Sequence, residues 1–165
     1  MIVRTTKDYD VISRVMLDPW VLDRISEDGC SADDLVIEDR AIYLTDEEHS
    51  GLGIFHGVNV ITCEFHIQML DRSKAMEFGA ACLSYIWDNT KLNKIIAQIP
   101  EMYPDVCRFA EKHGFKKEGC SEGAHLKNGK ISSLFYYGLT RRDHGLDEKE
   151  HRDRHNRRRS RGCCS

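Results

Sequence analysis

The chain has 165 residues, 41% hydrophobic and 31% charged, with 3 Pro, 12 Gly and a formal net charge of −3. That length suits one domain around one core, and that composition excludes the collagenous and disordered classes. No apolar run approaches the roughly 18 residues of a membrane span. Met1-Ile2-Val3-Arg4-Thr5-Thr6-Lys7 lacks a basic-then-apolar leader, which points to a chain made and kept in the cytosol.

Ile2 to Thr5 reads as a short strand. Thr5 or Thr6 with Asp8 then offers a helix start before Val11, Ile12, Val15 and Met16 at helical spacing. Asp18-Pro19, a capping residue followed by one whose fixed φ suits the first helical turn, opens a second short helix through Trp20, Leu22 and Ile25. Residues 29–39 form a mostly polar loop. Residues 41–44 and 51–58 flank the turn-like Asp46-Glu47-Glu48-His49-Ser50 and read as an antiparallel hairpin. Between Val60 and Met69, Ile61, Cys63, Phe65, Ile67 and Met69 alternate with Thr62, Glu64, His66 and Gln68, so one strand carries an apolar and a polar face. After Asp71-Arg72-Ser73-Lys74 comes a helix to about Asp88, apolar nearly all round and therefore placed against the body of a sheet.

Residues 94–99 give the next strand. Residues 105–113 give a helix with Val106, Phe109 and Ala110 inward, closed by Gly114 as a left-handed cap. Two last strands, 115–120 and 132–139, are joined by a loop rich in Gly, Lys and Asn. The order β-α-α-β-β-β-α-β-α-β-β makes this a mixed α/β chain with a mostly antiparallel sheet and flanking helices.

Residues 1–140 form the folded unit in this reading, and 141–165 a basic extension. The last segment holds one large aliphatic residue, Leu146, too little apolar surface to offset chain entropy. Its charge is +4, against −7 for the rest. The run Arg157-Arg158-Arg159 suits nucleic acid or another acidic surface, or a solvated tail without a partner. The 7 cysteines are odd in number and include no Cys-x-x-Cys pair, so those in apolar runs read as buried thiols. The His-x-x-x-His spacing occurs once, at His151 and His155 in the tail, and no metal is expected in the folded unit.

The strand-to-helix junction from Leu70 to Met76, with the phrase Phe109-Ala-Glu-Lys-His-Gly-Phe-Lys-Lys-Glu-Gly119, resembles the GCN5-related N-acetyltransferase fold over residues 1–140. The resemblance implies acetyl-CoA as cosubstrate. It assigns coenzyme binding to Ile67 and Met69 on the strand and to Arg72, Ser73, Lys74, Ala75, Met76 and Glu77 at the junction, where backbone amides and the helix dipole meet a pyrophosphate. This chain departs from the family's Gly-rich pattern: Ala75 stands at the first Gly and Glu77 at the second small position, where bulk and charge both oppose an anion.

The same resemblance places a base on the polar strand face at Glu64 and His66; a solvated sheet face is the other reading of that polar row. The family's frequent Tyr acid falls at Ala110, and Tyr103 offers a hydroxyl in its stead or packs ahead of Pro104. Cys107, Trp20 and Trp87 read as packing residues.

Two functions follow. One is an N-acetyltransferase acting on an amine of a small cationic molecule or protein, which the acidic body suits. The other is a catalytically degenerate member, phage-encoded, with a structural, assembly or partner-binding role in a particle. The expected partners are acetyl-CoA, an amine acceptor and a protein; nucleic acid enters through the tail and no membrane is involved.

Overall fold

The computed structural model describes residues 1–144. Its elements follow the order read from the sequence. Thr6 Oγ1 accepts the Asp8 amide, and Asp8 caps α1 (Tyr9–Met16) through the Asp10 and Val11 amides. Asp18 repeats this for α2 (Pro19–Ile25), with Pro19 in the first turn. A single 3-10 turn, Ala32–Asp34, interrupts the long loop that follows.

Seven strands form one sheet: β1 (Val3–Thr5), β2 (Ile42–Asp46), β3 (Gly51–Gly57), β4 (Thr62–Met69), β5 (Lys94–Pro100), β6 (Lys116–Lys127) and β7 (Lys130–Thr140). Their spatial order is β1-β2-β3-β4-β5-β7-β6. All neighbours are antiparallel except β4 and β5, which the crossover helix α3 (Ala75–Asn89) makes parallel.

Strand alternation sends Leu44, Phe55, Cys63, Phe65, Ile95, Tyr137 and Leu139 to one face. There they meet Phe78, Cys82, Leu83, Ile86 and Trp87 of α3, together with Cys107 and Ala110 of α4 (Pro104–Lys112). A smaller cluster on the opposite face joins Ile12 and Val15 of α1 to Tyr43 and Leu52.

Three details differ from the sequence reading. On α4 the buried pair is Cys107 and Ala110, while Val106 and Phe109 are half-buried against a cavity, because the helix presents its edge to that opening. β4 begins at Thr62, since the Val58 and Asn59 amides both turn onto the Thr62 carbonyl and leave Val60 94% exposed.

Between the last strands there is a two-residue turn rather than a loop. Asn128 (φ 52) and Gly129 (φ 70) both occupy the left-handed region, pairing Lys127 with Lys130. The ribbon is bulged between Ser121 and His125, and its tip packs on the segment after α2: Asp28 accepts the Asn128 and Gly129 amides at 2.8 and 2.7 Å.

Gly114 closes α4 at φ 88 and Phe115 enters the core. At the other end of the body, the Arg141 guanidinium caps the carbonyls of Trp87, Thr90 and Leu92 near the C-terminus of α3. The expected tail lies, from residue 145 on, outside the described residues. No helix among the described residues is long and apolar enough to cross a membrane.

Candidate functional site

The site originates in a broken ladder. β4 pairs with β5 only at Thr62–Lys94, Cys63–Ile95 and Glu64–Ile96. Beyond Glu64, β4 stays bonded to β3 as far as Met69 and β5 to β7 as far as Pro100. The two strands therefore diverge. The wedge opens into a cavity of about 680 Å³, walled by both strands, α1, α2, α4 and the loop after α2.

Glu64 sits at the apex of the wedge, 8% exposed. Its Oε2 accepts Gln98 Nε2 from β5 at 3.2 Å. His66 Nε2 lies 3.5 Å from Glu64 Oε1, and His56 Nε2 3.9 Å from Oε2. The two imidazole nitrogens are 2.9 Å apart, so one ring must donate its proton to the other. Burial depresses the His66 pKa and the His56 charge adds to this, while Glu64 and Glu38 pull it back up. A neutral imidazole, a shared proton and a buried carboxylate together can accept a proton from a cationic group in the cavity.

Of the residues expected from the sequence, Glu64, His66, Tyr103, Ile67, Met69, Arg72 and Ala75 share this cavity; Ser73, Lys74, Met76 and Glu77 do not line it. Tyr103 stands ahead of α4 with its ring 4.4 Å from the Arg24 guanidinium, which Asp105 holds through two bonds. Arg72 stacks on Trp20 at 4.4 Å.

The junction before α3 is a 3-10 turn in which Asp71 accepts both the Ser73 amide, at 3.0 Å, and its hydroxyl, at 2.6 Å. These bonds hold the Asp71 carboxyl below its usual range. Lys74 is tied to Glu48, whose carboxylate raises its pKa. Glu77 is bound to the Met1 ammonium at 2.6 Å and stays out of the cavity. Among the described residues no N-cap side chain closes the first turn of α3; the 3-10 turn runs straight into it, and the Ala75 amide bonds the Arg72 carbonyl.

Sequence reasoning passed over His56, Gln98 and Glu38. His56 had a signal: in the β3–β4 hairpin it falls directly opposite Glu64. Linear spacing also gives no sign of this cross-strand convergence, which brings His56, Glu64 and His66 ligand atoms within 4.8 Å of one another.

The fold has known counterparts. A spermidine N-acetyltransferase from Vibrio cholerae, solved with CoA and spermine, superposes with a TM-score of 0.70 at 17% identity, over 86% of this chain and 95% of that one. This chain has the GCN5-related N-acetyltransferase fold. Mutant forms of the spermidine/spermine N-acetyltransferase SpeG from Vibrio cholerae align over 90% of this chain and 96% of theirs, at 16% identity and a TM-score of 0.64. The protein smu.2055 from Streptococcus mutans UA159 aligns at 13% identity over 85% and 99%, with a TM-score of 0.69. No protein-family profile and no curated protein sequence matches the chain. Within the N-acetyltransferase fold, the divergence of β4 from β5 beside the buried Glu64 is the feature on which a functional reading rests.

Proposed function

We propose that the protein transfers an acetyl group from acetyl-CoA to a primary amine of a small cationic molecule, a polyamine-like acceptor. The observation carrying this is the wedge beyond Glu64 and Ile96, which opens a slot beside a buried carboxylate. Ile67, Ala97, Ile99 and Phe109 give the slot apolar walls suited to a pantetheine arm. Arg72 on the cavity wall, and an α3 N-terminus without a side-chain cap, suit a diphosphate. Glu27, Glu38, Glu64 and Asp105 line the cavity against Arg24 and Arg72, a balance that favours a cationic acceptor.

In this reading Glu64, with the imidazole pair, takes a proton from the acceptor ammonium. The freed amine nitrogen bonds to the thioester carbon, the carbon–sulfur bond breaks, the Tyr103 hydroxyl protonates the departing thiolate, and its phenolate takes the second proton from the acylated nitrogen. Gln98 keeps the Glu64 carboxylate in place through its amide.

A second reading, a fold retained for partner binding or particle assembly, is favoured by the turn before α3. There Asp71 occupies the Ser73 amide, a donor that a pyrophosphate would need.

Calorimetry with acetyl-CoA, followed by thiol release in the presence of spermidine, separates the two. Transfer requires binding that Arg72→Ala weakens at least several-fold, and a Glu64→Gln variant with about 100-fold lower kcat at unchanged acetyl-CoA affinity. No heat at millimolar acetyl-CoA removes the transferase reading.

A further inference from the structure

We infer that His56, Glu64 and His66 form a binding site for a divalent first-row transition-metal ion, Zn2+ above all. The inference does not rest on acetyl transfer. The ladder itself aligns the donors: His56 is paired with Glu64 across β3 and β4, and His66 lies two residues along the same face. All three line the cavity.

Against the edge of a tetrahedron built on Zn2+ bonds, the imidazole nitrogens lie 2.9 Å apart, and the carboxylate meets the rings through different oxygens, Oε1 at 3.5 Å from His66 Nε2 and Oε2 at 3.9 Å from His56 Nε2. That edge is roughly 3.3 Å for bonds of 2.0–2.1 Å. Two imidazole nitrogens this close already share one proton. An ion of charge +2 replaces that proton, releases it to solvent, and needs the nitrogens to part by only a few tenths of an ångström.

The donor chemistry is selective. Two nitrogens and one carboxylate suit Zn2+ and its neighbours, whereas Mg2+ and Ca2+ require oxygen cages. The Gln98 amide on Glu64 Oε2 fixes the carboxylate as an outer-shell partner does in metal proteins. The open side of the cavity leaves a fourth position for water or an anion. A bound ion also engages the carboxylate that acetyl transfer needs as base, so the loaded protein is expected to be inactive in that reaction.

The test is a calorimetric titration of the full chain with Zn2+, paired with the visible spectrum of the Co2+ form. One ion per chain is expected, with affinity falling roughly 100-fold or more in His56→Ala and in His66→Ala, and about 10-fold in Gln98→Ala, the range found for outer-shell partners. His151, His155, Cys163 and Cys164 of the tail are the competing ligands, so the variant His151→Ala/His155→Ala/Cys163→Ser/Cys164→Ser must keep the site. The Co2+ form should show tetrahedral bands without a thiolate charge-transfer band, a readout that needs no substitution in the strands. Absence of binding at 100-fold excess Zn2+, loss in the quadruple tail variant, or a thiolate band overturns the inference.

Discussion

Arg72 lies with its guanidinium 4.4 Å from the ring of Trp20, and Arg24 approaches the same indole at 5.0 Å. A single aromatic residue of α2 thus joins the turn after β4 to the arginine that Asp105 holds ahead of Tyr103. The stack orients Arg72 along the cavity wall before any anion arrives, removing part of the ordering cost of binding. Trp20→Ala should weaken acetyl-CoA binding roughly two- to five-fold, the value of one exposed cation–π contact. Trp20→Phe should recover most of that loss. Calorimetry on the two variants checks this; equal affinities in Trp20→Ala and the parent chain remove the orienting role.

The His66 pKa is lowered in the folded chain from about 6.5, chiefly by burial, so the unfolded state binds the proton more readily. Stability contributed by the neutral ring is complete above about pH 6.5 and is lost as pH falls through the lower folded pKa. Glu64 and Glu38 moderate the effect and His56 deepens it. The thermal midpoint should therefore decline below pH 6.5, and less steeply in His66→Gln. Melting curves from pH 5 to 7 read the difference; parallel slopes refute it.

Lys127 is 6% exposed and donates to the Asp23 and Ser26 carbonyls, with the Asp23 carboxylate 3.3 Å away. This ammonium anchors the β6–β7 tip to the end of α2, two residues along the strand from His125, whose ring meets that of Tyr103 edge-on. Lys127→Met keeps the aliphatic stem but strips the charge-assisted bonds, and should cost about 1.5–3 kcal/mol in urea unfolding. The acceptor KM should rise more than kcat changes. A stability within about 0.5 kcal/mol of the parent would exclude Lys127 as an anchor.

Burial pushes the Cys63 thiol up to about 12 and the Cys82 thiol higher still. Thiolate is the reactive form, so both should resist alkylation in the native chain, as should buried Cys107. Exposed Cys30 and Cys120 should label quickly. Peptide mapping after a short maleimide pulse, with and without denaturant, tests this; rapid native labelling of Cys82 would contradict its place on α3 facing Gly53 of β3.

Several elements could be read before any coordinates because their causes are local. Asp8, Asp18-Pro19 and Gly114 end or begin helices through bonds to residues two to four positions away. The period-two pattern of β4 assigned Glu64 and His66 to one face. The Asn128-Gly129 turn was equally local; its hairpin signal was masked by the polar composition around it.

The sequence by itself determined the element order, the buried thiols and the polar row on β4, because periodicity and capping act over one or two turns of chain. Tertiary structure decided the rest: which strand lies opposite Glu64, how far β4 and β5 stay bonded, and where Glu77 and Arg72 direct their charges. Those outcomes depend on contacts between residues far apart in sequence, Arg72 with Trp20 or Met1 with Glu77. Only the packed sheet brings such groups within reach of one another.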